Sequence, residues 1–205
     1  MTHEITLIDA GTGNLRSVHK ALESLGADVT LTHDPKQVLR GGRLVLPGVG
    51  AFGDFMKGLR QRDLEQPILE IARRGDPLLG ICVGMQAFFE IGEEMGEHRG
   101  LALLPGRVMH FPPLGELKIP HTGWNQLQIQ KPGMLWQEIE SGDYAYFNHA
   151  YYCAPQDPNS ITVTTDYGIV FSSAIQQNNL FGVQFHPEKS QRVGLKILEN
   201  FIHQS

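Results

Sequence analysis

The chain has 205 residues, 41% hydrophobic and 19% charged, which describes a folded globular protein rather than a disordered one and suits one domain spanning residues 1–205. The formal net charge is -5 and no run of Lys or Arg stands out, so nucleic acid is not expected as the main ligand, because phosphate binding needs clustered positive charge. No apolar stretch approaches the ~20 residues of a membrane span. The segment Met1 to Asp9, with Glu4 beside a short apolar run, reads as the start of the fold rather than a signal peptide. Cys82 and Cys153 are the two cysteines. A chain of this length needs no staple, so a reduced thiol and a cytosolic protein are expected.

Ile5 to Asp9 reads as a first strand, ended by the loop Gly11-Thr12-Gly13-Asn14. Leu15 to Leu25 carries Leu15, Val18, Leu22 and Leu25 at helical spacing, with Gly26 as its stop. Asp28 to Leu31 and Arg43 to Leu46 are short strands, and the second runs into Pro47-Gly48-Val49-Gly50. Asp54 to Arg74 reads as helix, broken before Pro67 and ended by Gly75. Leu78 to Ile81 is a continuous apolar run, the pattern of a strand buried on both faces, and Gly84 to Ile91 returns to helix. This alternation implies βαβ units and a parallel central sheet.

The second half is β-rich: Arg107 to Phe111, Trp124 to Ile129, Tyr144 to Phe147, Ile161 to Thr165 and Ile169 to Gln176. Asn178-Asn179 reads as a hairpin turn leading into Leu180 to Phe185. Ser190 is placed to cap a last helix that presents Val193, Ile197, Leu198, Phe201 and Ile202 on one face. The expected fold is a single α/β domain, with a mixed, mostly parallel central sheet flanked by helices and β-rich insertions in its second half.

Three motifs carry chemistry. Gly80-Ile81-Cys82-Val83-Gly84 is G-x-C-x-G between a buried strand and a helix, a nucleophile elbow with Cys in place of Ser. The glycines permit a sharp turn that exposes the sulfur, the Val83 amide at the helix start would face a developing oxyanion, and a helix N-terminus favours a thiolate. A buried Cys in a tight turn is the blander alternative. In His186-Pro187-Glu188, strand residues two apart share a side, so Glu188 can orient His186 and His186 can face Cys82. The alternative is a capped strand end with a solvated Glu. Metal binding is not expected there, because no third ligand stands at a telling spacing. Pro47-Gly48-Val49-Gly50 follows a strand, at the sheet edge where α/β sites form, and offers the Val49 amide as a second oxyanion donor.

Together these motifs resemble the class I, triad-type glutamine amidotransferases. The match is narrower still. Ile8-Asp9 with Gly11 to Val18, PGVGAFGD from Pro47 to Asp54, GICVGMQ from Gly80 to Gln86, His121 with Gly123-Trp124-Asn125, and GVQFHPEKS from Gly182 to Ser190 look like the glutaminase subunits of imidazole glycerol phosphate synthases. The resemblance runs nearly end to end. It implies a triad of Cys82, His186 and Glu188, an oxyanion hole from Val49 and Val83, and glutamine held by Gly50, Gln86 and the amides of His149-Ala150-Tyr151. It implies no cofactor. The implied partner is a (β/α)8-barrel cyclase, forming a heterodimer through Gly11, Asn14, His121, Trp124, Asn125 and Lys189. Family members usually carry Ser or Thr where Ala150 stands and Tyr where Ala10 stands.

Two other readings remain in play. The glutaminase of pyridoxal phosphate synthase shares the chemistry, but PGVG and H-x-GWN point away from it. A non-catalytic module retaining the fold is opposed by the joint presence of Cys82, His186 and Glu188. The Gly48–Val49 peptide is also expected to hold two orientations, through the backbone freedom of Gly48, so that cyclase ligand turns the Val49 amide inward. Cys153, in an aromatic β run, reads as a packed core thiol.

Overall fold

The computed structural model describes residues 3–203. Met1 and Thr2, the start of the segment expected to open the fold, lie outside the described residues. The first half alternates as the pattern requires: β1 His3–Ile8, α1 Leu15–Ser24, β2 Ala27–Thr32, α2 Pro35–Val38, β3 Arg43–Gly48, α3 Phe52–Gln61, α4 Glu65–Arg74, β4 Leu78–Cys82 and α5 Val83–Gln86. Then come β5 Phe89–Gly92, β6 His98–Arg99, β7 Leu104–His110, β8 His121–Gln126, β9 Gln128–Ile129, β10 Tyr144–His149, β11 Tyr151–Pro155, β12 Ile161–Asp166, β13 Val170–Gln177, β14 Leu180–Val183 and α6 Gln191–His203.

One large sheet runs β2-β1-β3-β4-β14-β13-β11-β7-β5-β6. Its pairings from β2 to β14 are parallel, and those joining β14, β13, β11 and β7 are antiparallel. β12 pairs with β13 and β9, while β8 and β10 form a separate antiparallel ribbon. This is the expected α/β architecture with β insertions. Every residue of β4 is buried, the signature of a central parallel strand. α6 packs its apolar stripe against β1 and α1, burying Val193, Ile197, Leu198, Phe201 and Ile202. No helix among the described residues is long and apolar enough to cross a membrane.

Several boundaries differ from the sequence pattern for physical reasons. The break in the long helix falls at 62–64, where Asp63 takes φ 55°, and not at Pro67. Pro67 sits in the first turn of α4, where its missing N–H costs nothing. The helix expected from Gly84 to Ile91 is a single turn, and Phe89–Gly92 becomes a strand paired with β7. A short apolar run does not distinguish the two states by periodicity alone. Trp124 to Ile129 splits at Leu127 into β8 and β9. The Asn178-Asn179 turn is as expected, with Gln177 facing Leu180 and Asn178 at φ 52°.

Candidate active site

Parallel strands place their C-terminal ends on one edge, and there the three motifs meet. Gly48 pairs with Cys82 at the ends of β3 and β4, and Val183 of β14 pairs with Ile81. The sulfur-bearing turn therefore lies between the PGVG loop and the segment leading to His186.

Cys82 adopts φ 54° and ψ -113°, a strained region for any residue with a side chain. Strain of this kind persists only where the surroundings enforce it. Gly84 leaves no room for a Cβ, which would strike the carbonyl of Leu46, and a Cβ on Gly80 would lie 2.7 Å from the Met85 main chain. The two glycines let β4 and α5 pack closely enough to hold the elbow. Gly48 is a glycine for the same reason. Its Cβ would fall 2.6 Å from the Phe55 ring and 2.7 Å from the Gly84 nitrogen. The left-handed φ belongs to Gly50 instead, at 88°. The backbone freedom expected of Gly48 is thus not what selects glycine there; the close approach of Phe55 and Gly84 is.

A cavity of about 260 Å³ opens above the elbow, lined by Val49, Gly50, Cys82, Val83, Gln86, His149, Ala150, Tyr151 and His186, together with Glu94, Pro120, Asn148 and Lys189. Nine of the sequence-derived catalytic and binding positions thus share one wall or another of the same space, which is small enough for an amino acid. Glu188 stands behind His186, with its side chain 1% exposed and Oε1 3.1 Å from His186 Nδ1. The route to this pair differs from the strand logic of the sequence. β14 stops at Val183, and Pro187–Lys189 is a 3-10 turn that folds Glu188 back onto the ring. Glu188 Oε2 is buried without a hydrogen-bond partner among the described residues, so the carboxylate engages His186 through Oε1 alone.

Burial alone would lower the pKa of His186, but hydrogen bonds to Cys82 and Glu188 outweigh it and raise the pKa to about 10. The ring is an imidazolium at neutral pH. It can hold a thiolate and later give a proton to a departing group.

His149, which also lines the cavity, is a neutral ring. It is buried, and desolvation lowers its pKa to about 3 despite a hydrogen bond to the Tyr151 carbonyl. That carbonyl only accepts, so His149 Nδ1–H donates to it, at 2.8 Å. His149 Nε2 is then an acceptor, and it lies 3.2 Å from His121 Nδ1, which donates. His121 Nε2 accepts from Asn125 Nδ2 at 3.3 Å. Each tautomer follows from the one before it. Desolvation also lowers His121, to about 4.

These contacts revise the expected docking face. His121 is 2% exposed and stacks on Tyr167 at 3.9 Å and Phe147 at 4.7 Å, so its side chain is packed inside the chain rather than presented on the surface. Asn125 is half-buried and spends its amide on Asp166 and His121. Trp124 and Lys189 are exposed and flank the Tyr146 ring, with centroids of Trp124 and Tyr146 6.1 Å apart and Lys189 Nζ 5.7 Å from the Tyr146 centroid. Gly11 and Asn14 lie in the loop after β1, beside the PGVG loop, and α1 packs against the turn bearing Lys189.

Three residues escaped the sequence reading. Among the described residues Glu94 is the one carboxylate lining the cavity, and its Oε2 accepts the Phe52 N–H at the start of α3, at 2.7 Å. Gln184, within the GVQFHPE motif but unremarked, points at Cys82. Ser190 was expected to cap α6, yet its hydroxyl accepts from the Tyr146 N–H at 2.9 Å and donates to the His186 carbonyl at 2.6 Å. With His186 N–H donating to the Tyr146 carbonyl at 2.9 Å, these bonds clamp the His186 turn to β10.

A buried thiol with an imidazolium, a carboxylate behind it and main-chain amides at a helix start is the apparatus of acyl transfer through a cysteine. The chain belongs to the class I glutamine amidotransferase family, whose model matches residues 6–205. Among curated proteins it is 48% identical to the imidazole glycerol phosphate synthase subunit HisH of Syntrophotalea carbinolica, over 96% of this chain and 98% of that one. It is 50% identical to the subunit of the same name from Moorella thermoacetica, over 96% and 93%. A solved glutamine amidotransferase superposes with TM-score 0.74 at 18% identity, covering 96% of this chain and 98% of the other, which speaks to the fold alone.

Proposed function

We propose that this chain is the glutaminase subunit of an imidazole glycerol phosphate synthase, acting in histidine biosynthesis as one amidotransferase unit over residues 1–205. The observation that supports the chemistry most is the convergence of Cys82, His186 and the Val49, Val83 and 149–151 segments on one amino-acid-sized cavity. The particular subunit is supported by relatives of that name near 50% identity across almost the whole chain.

In this reading the Cys82 thiolate attacks the carboxamide carbon of glutamine. The Val49 and Val83 amides receive the oxyanion, and His186 gives its proton to departing ammonia. The resulting thioester is attacked by water, which neutral His186 deprotonates, and glutamate leaves. Glu188 steadies the imidazolium each time it forms. The substrate is a zwitterion, so its two ends need opposite partners. Main-chain amides of His149-Ala150-Tyr151 serve its carboxylate, and these donors are indifferent to Ala at 150. Glu94, an acid on the cavity wall, serves the ammonium. Gly50 and Gln86 complete the pocket.

Ammonia released into water is protonated and lost as a nucleophile, so the reaction needs a sheltered acceptor. The partner is a (β/α)8-barrel cyclase docked over the Trp124–Tyr146–Lys189 cluster and the Gly11 to Asn14 loop, on the cavity side. Both cysteines are free, which suits a reducing cytoplasm. The test is glutamate release by the purified chain alone, with the cyclase, and with the cyclase plus its ribonucleotide ligand. Low basal release stimulated by the liganded partner supports the reading. Absence of release in all three mixtures overturns it. Loss of complex formation on Lys189→Glu with Trp124→Ala supports the docking face, and an equally tight complex overturns that placement.

A further inference from the structure

Gln184 follows β14 and is wholly buried, at 0% exposure. A carboxamide in that position is costly unless its polar atoms find partners. Its neighbours supply them, and they also dictate which way it points. The Tyr151 carbonyl can only accept, so the Gln86 side-chain nitrogen faces it, at 3.2 Å. The same nitrogen donates to Gln184 at 3.1 Å, so Gln184 presents its Oε1 there. Its Nε2 is left facing the Cys82 sulfur at 3.6 Å. The orientation is therefore fixed from the β11 main chain through Gln86, before the sulfur contributes anything. The Gln184 main chain is held independently by its N–H on the Ser173 carbonyl, at 2.9 Å.

We propose that Gln184 is a positioning residue for the nucleophile, whose carboxamide N–H donates to Cys82 Sγ and fixes the position of the thiolate. The proposal rests on the reading of Cys82 as the nucleophile and adds a second, uncharged donor to it. His186 must leave the sulfur to protonate ammonia. Gln184 cannot titrate, and its Oε1 is already engaged by Gln86, so its Nε2 remains on the sulfur through both halves of the reaction. A hydrogen bond to an anion is stronger than one to a neutral acceptor, so this contact favours the thiolate over the thiol, and it favours the thiolate again as the leaving group when the thioester breaks. The titratable groups around the sulfur are His186 from the turn after β14, with Glu188 behind it, and Cys153 from β11, whose thiol is kept neutral by burial and then by the Cys82 charge.

The experiment follows the pH dependence of iodoacetamide alkylation at Cys82, identified by peptide mass, in the full chain and in its Gln184→Met and Gln184→Glu variants. Met keeps the bulk without a donor, and Glu keeps the shape with a charge opposed to the thiolate. The midpoint should rise by about one pH unit for Gln184→Met and further for Gln184→Glu. Turnover should fall while the KM for glutamine stays within about twofold. Folded variants with an unmoved midpoint would show that Gln184 only fills space, and the proposal would be overturned. A Cys82 that is unreactive in the unsubstituted chain at every pH would instead overturn its role as nucleophile. Should neither variant fold, the side-chain amide resonance of Gln184 in the unsubstituted chain decides: it must titrate with the alkylation midpoint, and a resonance that stays still overturns the proposal.

Discussion

The cavity has two walls, each with a buried histidine, and the two rings are driven in opposite directions. His186 has a carboxylate at one nitrogen and the Cys82 sulfur as its other partner, and its pKa is raised to about 10. His149 has a carbonyl at one nitrogen and a second imidazole at the other, and its pKa falls to about 3. Both lose water on burial. The difference is that the Cys82 sulfur and the Glu188 carboxylate together outweigh the cost of a buried positive charge at His186, whereas the single Tyr151 carbonyl favours the charged His149 ring too weakly to offset desolvation. The imidazolium at His186 also disfavours a second charge at His149. One wall thus holds the ions that do chemistry, and the other stays neutral, where an additional cation would compete with His186 for the thiolate.

The most severe way to break the charged wall is to remove its anion. Cys82→Ala should lower glutamine hydrolysis by at least about 10⁴-fold, as loss of a nucleophile does in comparable triads. Synthesis from added ammonium salts by the complex should survive. Loss of both activities would show that Cys82 supports the structure of the complex rather than ammonia release. Glu188→Gln is milder, because the ring keeps a hydrogen-bond partner but loses the countercharge. A fall of roughly 10²–10⁴ in kcat is expected, since an analogous orienter in a serine protease contributes at the upper end. The more acidic His186 of that variant should also move the activity–pH profile downward. Unchanged turnover would make Glu188 a structural residue.

Acid tests the neutral wall. The folded pKa values of His149 and His121 lie below that of an unfolded histidine, so between about 3 and 6.5 the unfolded chain binds more protons. Stability therefore falls as the pH falls through that window, by up to about 1.4 kcal/mol per pH unit for each histidine. His186 has the opposite sign: its contribution is complete below about 6.5 and is lost as the pH rises toward 10. Urea midpoints should peak between the two limbs. His149→Gln can keep both the donor to Tyr151 and the acceptor for His121 while losing the titration, so the acid limb should flatten by one histidine's share. An unaltered slope would show that His149 does not produce it.

What the sequence revealed about these walls depended on whether the signal was local. The elbow was legible because glycine at 80 and 84 is a backbone requirement written beside Cys82, and β4 because continuous burial leaves a continuous apolar run. His186 and Glu188 were legible as a pair through close spacing, although a 3-10 turn and not a strand brings them together. The helix after Gly84 was overextended because Phe88, Phe89 and Ile91 fit either period. Only the family resemblance puts His121 at the partner face, and the Tyr167 ring that covers it arrives from far along the chain. Gln184 and Glu94 acquire their roles only through contacts to distant residues, as does Ser190 through Tyr146, and no spacing announces those.

Ser190 offers the finest test of the comparison, because it joins the walls. Its hydroxyl bonds Tyr146 on β10 and His186 in the catalytic turn, and the serine itself is buried. Ser190→Ala leaves the Tyr146 N–H without that acceptor and the His186 carbonyl without that donor. The backbone bond from His186 N–H to the Tyr146 carbonyl remains, so the turn should loosen rather than detach. A stability loss of about 1–3 kcal/mol is expected from the unmet groups. A looser turn lets the ring drift from Cys82, and small misplacements of a catalytic group are costly, so kcat should fall by roughly three- to tenfold. Because the carboxylate partner is untouched, the pH dependence of activity should stay where it is, in contrast to Glu188→Gln. Threonine at 190 retains the hydroxyl and should restore most of the rate. If Ser190→Ala lowers the thermal midpoint but leaves kcat intact, the charged wall keeps its geometry without the neutral one, and the two are independent parts of the site.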